Sequence, residues 1–144
     1  MILDNQLVLS DAQAITADAG STNVIDLGSV RQVGQGYPLA VCFVVTTAAD
    51  ATTGDETYSF NIQTDDNAAF SSATTVSTNA ITAATLSLGS IHVVSLPTAG
   101  LERYIRAFYD VAGTTPTVTV TAFLQPWDMV QRAPLYYSNN SVIA

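Results

Sequence analysis

From Val118 to Leu124 the chain alternates without interruption, with Val118, Val120, Ala122 and Leu124 on one side and Thr119, Thr121 and Phe123 on the other. A helix turns through about 3.6 residues, so a period of two marks a strand with one apolar face. The preceding stretch, residues 103–111, has the same period but a different outer side. Ile105, Ala107, Tyr109 and Val111 make its apolar face, while Tyr104, Arg106, Phe108 and Asp110 lie opposite. Ala112-Gly113-Thr114-Thr115-Pro116 supplies a turn, because Gly tolerates positive φ and Pro fixes φ at the entry to the next strand. Residues 96–126 are therefore expected to form two long antiparallel strands joined by that turn. A solvent face seldom needs Tyr, Arg and Phe two residues apart. The outer face of the first strand is thus either covered by the protein's own loops or offered to a partner.

The rest of the chain reads in the same way. Residues 12–17 and 21–27 are expected as strands around a hairpin turn at Asp18-Ala19-Gly20. Residues 28–38, with three glycines and a proline, form a loop. Residues 39–47 are apolar on both faces, Leu39, Val41, Phe43 and Val45 on one and Ala40, Cys42 and Val44 on the other. That pattern places the strand in the middle of a sheet with its outer side covered. Residues 57–64 alternate with Tyr58, Phe60, Ile62 and Thr64 inward, and weaker strands at 73–78 and 91–96 bring the count to about eight. No stretch has a convincing helical period. The expectation is all-β: a single-domain antiparallel β-sandwich of jelly-roll type over residues 1–126. Beyond Pro126 the alternation stops, and residues 127–144 carry Trp127, Tyr136, Tyr137 and an apolar Val142-Ile143. A disordered tail rarely keeps that much aromatic surface. The segment is read as an extended C-terminal arm that docks on a neighbour or a partner.

Charge narrows the choice of partners. The chain has 12 acids against four arginines, no lysine, and a formal net charge of −8. Nucleic-acid affinity comes mainly from cations that neutralise phosphates, and four scattered arginines make no such footprint. The same field disfavours anionic membranes, and the apolar run at 39–45 is far short of the ~20 residues a membrane helix needs. Only 11% of residues are charged and 48% are hydrophobic, where about 25% charged is typical. Thr, Ser and Ala make up the difference. Such a neutral, hydroxyl-rich surface suits contact with other protein, although threonine-faced strands of any all-β fold would look the same. The start of the chain, MILDNQLVLSD, lacks the basic segment of a secretory signal, and the single Cys42 cannot form an internal disulfide. Both point to folding in a reducing cytoplasm, with Cys42 as a small buried hydrophobe.

Catalytic sets are hard to assemble. The single histidine, His92, sits between Ile91 and Val93 in a strand. No Ser-His-Asp arrangement, zinc ligand set or phosphate-binding glycine loop is readable. Asp55-Glu56 and Asp65-Asp66-Asn67 pair carboxylates that suit calcium or glycoside hydrolysis, but they lie in loops where acids are expected as solvated turn residues. No catalytic residue, metal or cofactor is expected. Arg103 and Arg106, beside Tyr104 and Phe108, are more informative, because a guanidinium both stacks on aromatics and pairs with carboxylates. Two readings stay open for them, a protein interface and an intramolecular ion pair across strands.

The segments LDNQLVLSDAQAIT (3–16), STNVIDL (21–27), FNIQTDD (60–66) with Phe70, LPTAGLERYIRAFYD (96–110) and VTVTAFL (118–124) together resemble the jelly-roll capsid cement proteins of tailed bacteriophages. ERYIRAFY is the most specific part, and the arm is where the likeness is weakest. The resemblance implies a non-enzymatic virion subunit, made in the host cytoplasm. It would oligomerise and bind the outside of the major capsid protein lattice to hold neighbouring capsomers together. The excess of apolar surface, notably the second face of 39–45 and the Tyr104/Phe108 side, favours a homodimer slightly over a trimer. The interface residues, for self or capsid, would be Arg103, Tyr104, Arg106, Phe108, Trp127, Tyr136 and Tyr137. A jelly-roll carbohydrate-binding module, with Trp127, Tyr136 and Tyr137 as a stacking platform, is the alternative.

Overall fold

The structure, a computed structural model, describes residues 4–130. Nine strands form, β1 (Val8–Ile15), β2 (Ala19–Gly20), β3 (Ile25–Asp26), β4 (Leu39–Thr47), β5 (Thr57–Asp65), β6 (Thr74–Ile81), β7 (Ile91–Ser95), β8 (Tyr104–Ala112) and β9 (Val118–Pro126). They make two antiparallel sheets, ordered β1-β9-β4-β7 and β2-β8-β5-β6, with β3 also beside β8. Counting β2 and β3 together as one strand, successive strands alternate between the sheets except at β5–β6. That is the strand order of a jelly roll. Among the described residues the only helical pieces are short 3-10 turns, and none is long and apolar enough to cross a membrane.

The inward faces are those the alternation predicts. Ile105, Ala107, Tyr109 and Val111 of β8 meet Val118, Val120, Ala122 and Leu124 of β9 in one core. Phe43 of the first sheet packs against Phe60 and Tyr109 of the second, with centroids 5.0 and 6.0 Å away, and Phe60 meets Tyr109 edge-on at 5.4 Å. Offset and edge contacts of this kind add to the burial of large rings. The Tyr109 hydroxyl is not orphaned: it shares a 2.8 Å hydrogen bond with Ser10 Oγ, which donates to Gln13 Oε1 at 2.7 Å. Burial raises the Tyr109 pKa, so the phenol stays neutral in that network.

Two expectations about pairing are corrected. β8 and β9 do not pair: β8 bonds to β5 in one sheet and β9 to β1 and β4 in the other. The turn between them is an arch that crosses the core. Alternation reports which face of a strand is apolar, and two strands facing each other across a sandwich satisfy it as well as two neighbours do. The hairpin at Asp18-Ala19-Gly20 fails for the same reason. β1 joins the first sheet, whereas β2 and β3 join the second against β8. Gln13 bridges that crossing, donating from Nε2 to the Gly20 carbonyl and accepting from the Thr22 N–H.

The arch is locked by its neighbour. Gly113 has φ 106° and lies so close to the loop before β5 that a Cβ there would be 2.6 Å from the Asp55 carbonyl oxygen. Asp55 in turn accepts from the Thr114 N–H and hydroxyl at 3.1 and 2.9 Å. β4 is a central strand, as its two-sided apolar pattern predicts, and Ala40 and Cys42 on its outer side are buried.

Candidate functional site

The outer face of the five-stranded sheet carries the residues singled out on β8. Tyr104, Arg106 and Phe108 are each half-buried. Arg106 is held from below and from the side. Its Nε and Nη2 both donate to Gln63 Oε1 on β5, at 2.9 and 2.8 Å. Its guanidinium lies 4.3 Å from the centroid of Phe70 and 5.2 Å from that of Phe108. Burial lowers its pKa, opposed by the Asp65 charge, but arginine stays charged at any physiological pH. Among the described residues it has no carboxylate within salt-bridge distance. A planar cation is thus fixed in place with its charge unmatched by a direct partner.

Phe70 reaches that position at a conformational cost. It has φ 53°, left-handed for a bulky residue, within a loop closed by Asn67, whose carbonyl accepts from the Phe70 N–H. Such backbone is uncommon outside Gly, Asn and Asp and persists where the surroundings hold it. Asp65 is what holds it here. Fully buried at the end of β5, its carboxylate accepts from the N–H groups of Asn67 and Ser72 and the Ser72 hydroxyl. Burial alone would raise the Asp65 pKa; the Ser72 and Asn67 donors outweigh it and hold the carboxyl below its usual range.

Arg103 resolves differently. Its Nε and Nη2 grip Asp26 of β3 in a bidentate pair at 2.8 and 2.9 Å, with the guanidinium 5.0 Å from the Tyr104 ring. Hydrogen bonding from Arg103, helped by the Gly28 N–H, draws the Asp26 pKa down to about 2. Both side chains are more than 40% exposed, so the pair orients β3 more than it stabilises the fold. Of the two open readings, Arg103 takes the intramolecular ion pair, and Arg106 is tied to an amide rather than an acid.

The remaining residues lie elsewhere. Trp127 follows β9 of the other sheet in a 3-10 turn, Trp127–Met129, and is 38% exposed. Its N–H donates to the Pro38 carbonyl, and Asp128 accepts from the Tyr37 hydroxyl at 2.8 Å, which raises the Tyr37 pKa. Beside this turn, Leu7, Phe123, Pro126 and Met129 line an apolar hollow of about 440 Å³. Tyr136 and Tyr137 lie outside the described residues. The structure therefore brings Arg106 and Phe108 together on one face, with Tyr104 on the same strand, and sets the root of the arm on the other sheet.

His92 is half-buried, edge-on to Phe60, with Ser90 Oγ 3.2 Å from Nε2 and its pKa lowered by burial. Cys42 is 1% exposed, accepts from Gln125 Nε2 at 3.1 Å, and has its thiol pKa raised by burial. The loop acids are not merely solvated, which corrects the sequence reading. Glu56 is buried and accepts from the N–H groups of Thr53 and Gly54, and its pKa falls, chiefly through the Thr53 hydroxyl. Asp65, Asp66 and Glu102 bring carboxylate oxygens within 4.8 Å of one another and are the described set able to approach a cation. Both Asp65 oxygens already serve the loop's own donors.

Sequence reasoning missed Gln63 and Gly20 as parts of the Arg106 seat. Gly20 of β2 has no side chain where Arg106 lies; a Cβ there would be 2.9 Å from Nη1. A glycine within a strand marks such a close approach, but its partner is 86 residues away in the chain. No curated protein matches the chain. A family model does match residues 9–124, from the first core residue of β1 to the last of β9. On that coverage the chain belongs to the Bbp16 family.

Proposed function

We propose that this protein is a non-catalytic structural subunit of a bacteriophage head, binding the outside of the capsid lattice and cementing neighbouring capsomers. The observation that carries the reading is the stretch ERYIRAFY at 102–109. It is the part of the chain that most resembles jelly-roll cement proteins, and it is also where Arg106 is held between Phe70 and Phe108 without a carboxylate partner among the described residues. A positioned guanidinium flanked by aromatics is the composition that protein interfaces favour. The net charge of −8 supports a place outside the shell, away from packaged nucleic acid. The arm at 127–144 is read as a second contact, rooted at Trp127.

The test is co-sedimentation with heads that lack the protein. Wild type should pellet with them and stay in solution alone. A chain ending at residue 130 should fold alike but lose affinity. Tyr136 and Tyr137 are residue types whose loss costs about 2 kcal/mol each, roughly a thousandfold together if additive. Wild type that stays in the supernatant while binding a polysaccharide on a glycan panel would overturn the cement reading in favour of a carbohydrate-binding module.

A further inference from the structure

The two lateral sides of the sandwich are guarded very differently. A sheet edge exposes unpaired N–H and C=O groups, and proteins that must not pair there use bulges, short strands, charge or proline. On one side the edges are β1 and the β2/β3 pair. β1 carries Asp11 and two register shifts, one spanning Ala12 at φ 45°. β2 and β3 are two residues each; Asp18 precedes β2 and Asp26 is the last residue of β3. That side is well protected.

The other side has edges β6 and β7, which lie against each other. Residues 67–101, spanning both strands and the turn between them, contain no Asp, Glu, Lys or Arg in a chain of net charge −8. β6 has neither proline nor glycine and is the one long strand with no buried residue. Its backbone hydrogen bonds among the described residues run to β5 alone. One bulge lies at Val76, after which Ser77–Ile81 pair regularly with β5. Leu88, 73% exposed, sits on the same uncharged stretch.

We infer that β6 is a self-association edge, pairing antiparallel with β6 of a second copy about a two-fold axis so that the five-stranded sheets become continuous. Charge decides the occupant. Two copies that each carry −8 repel over most of their surface, whereas β6 itself brings no charged side chain to the contact, and Asp65 and Glu56 at its two ends are buried and hydrogen-bonded within their own loops. Antiparallel pairing of identical strands also closes on itself, so an unguarded edge used this way gives a dimer rather than a fibre. The inference rests on the self-association part of the reading above and locates it.

The experiment combines light scattering with two kinds of variant. Wild type at tens of micromolar should have twice the 15.1 kDa chain mass. Ala80→Glu changes an exposed side chain that makes no hydrogen bond. With the two-fold axis passing within the regular segment at Thr78–Ala80, it sets carboxylates from the two copies near each other, so the dimer should weaken about tenfold with thermal unfolding of the monomer unchanged. Because Cys42 is buried, single cysteines introduced as T78C, N79C and A80C report on the edge alone, and one of them should give a covalent dimer on mild oxidation. A wild-type dimer that survives Ala80→Glu and yields no crosslink overturns this location and leaves self-association standing. A wild-type monomer or trimer overturns the inference, and a monomer overturns self-association with it. A monomer whose capsid binding is abolished by Ala80→Glu would make the occupant a strand of the shell instead.

Discussion

Replacing Gly113 with alanine tests whether the β8–β9 arch is locked on the loop before β5. The added Cβ would meet the Asp55 carbonyl oxygen at 2.6 Å, Glu56 Cα at 2.7 Å and the Asp55 carbonyl carbon at 2.8 Å. These are backbone atoms that no rotamer change can move. Left-handed backbone costs a residue with a Cβ about 1–2 kcal/mol, and crowding rigid neighbours adds about 1–3 kcal/mol. The sum is about 2–5 kcal/mol, of which the contact part must be isolated. Gly100→Ala does this, since Gly100 has φ 80° with nothing within 4 Å of its would-be Cβ. At about 4 °C per kcal/mol for a domain of this size, Gly100→Ala should lower Tm by about 4–8 °C and Gly113→Ala by about 8–20 °C. Differential scanning calorimetry on both, beside wild type, decides it. If Gly113→Ala melts no lower than Gly100→Ala, the loop does not bear on the arch and the close approach is wrong.

Phe60→Ala should cost about 3–5 kcal/mol in chemical denaturation, because it empties the centre of the Phe43–Phe60–Tyr109 contact; a loss under about 1 kcal/mol would mean the sheets do not meet there. Acid should destabilise the fold. Asp26, Asp55, Glu56 and Asp65 all have folded pKa values below the ordinary carboxylate range. The unfolded chain then binds more protons near pH 4 and below, so stability present above about pH 4 is lost as pH falls through the lowered values. Denaturation midpoints that stay flat from pH 6 to about pH 3 would contradict this. Gly20→Ala pushes a Cβ against the flexible end of Arg106. It should alter stability by less than about 1 kcal/mol while reducing co-sedimentation with heads; unchanged binding would remove the Arg106 face from the capsid contact.

Period-two alternation made the core faces of β5, β8 and β9 legible, and the two-sided apolar run at 39–47 identified a central strand. The β-sandwich follows from those faces alone, because sheets with one apolar side must stack. ERYIRAFY marked a face unusual for solvent, and that face carries Arg106 between Phe70 and Phe108. What alternation does not encode is which strand pairs with which. The turns at Asp18-Ala19-Gly20 and Ala112–Pro116 look like hairpins, yet both carry the chain across the core between sheets. Pairing is set by contacts far apart in sequence, and a local turn is compatible with either outcome.

The seat of Arg106 belongs to the tertiary structure for the same reason. Gln63 on β5, Gly20 on β2 and Phe70 in a loop come from three separate parts of the chain. Nothing in its own sequence neighbourhood ties any of the three to Arg106. The loop acids change meaning likewise: Asp65 and Glu56 look like solvated turn residues, and folding turns them into buried acceptors for backbone N–H groups. The absence of charge over 67–101 is visible in the sequence. Only the jelly-roll order, by placing both β6 and β7 at sheet edges on one side, turns that silence into a surface. A one-dimensional pattern fixes what a residue needs around it, and the three-dimensional path decides which residues supply it.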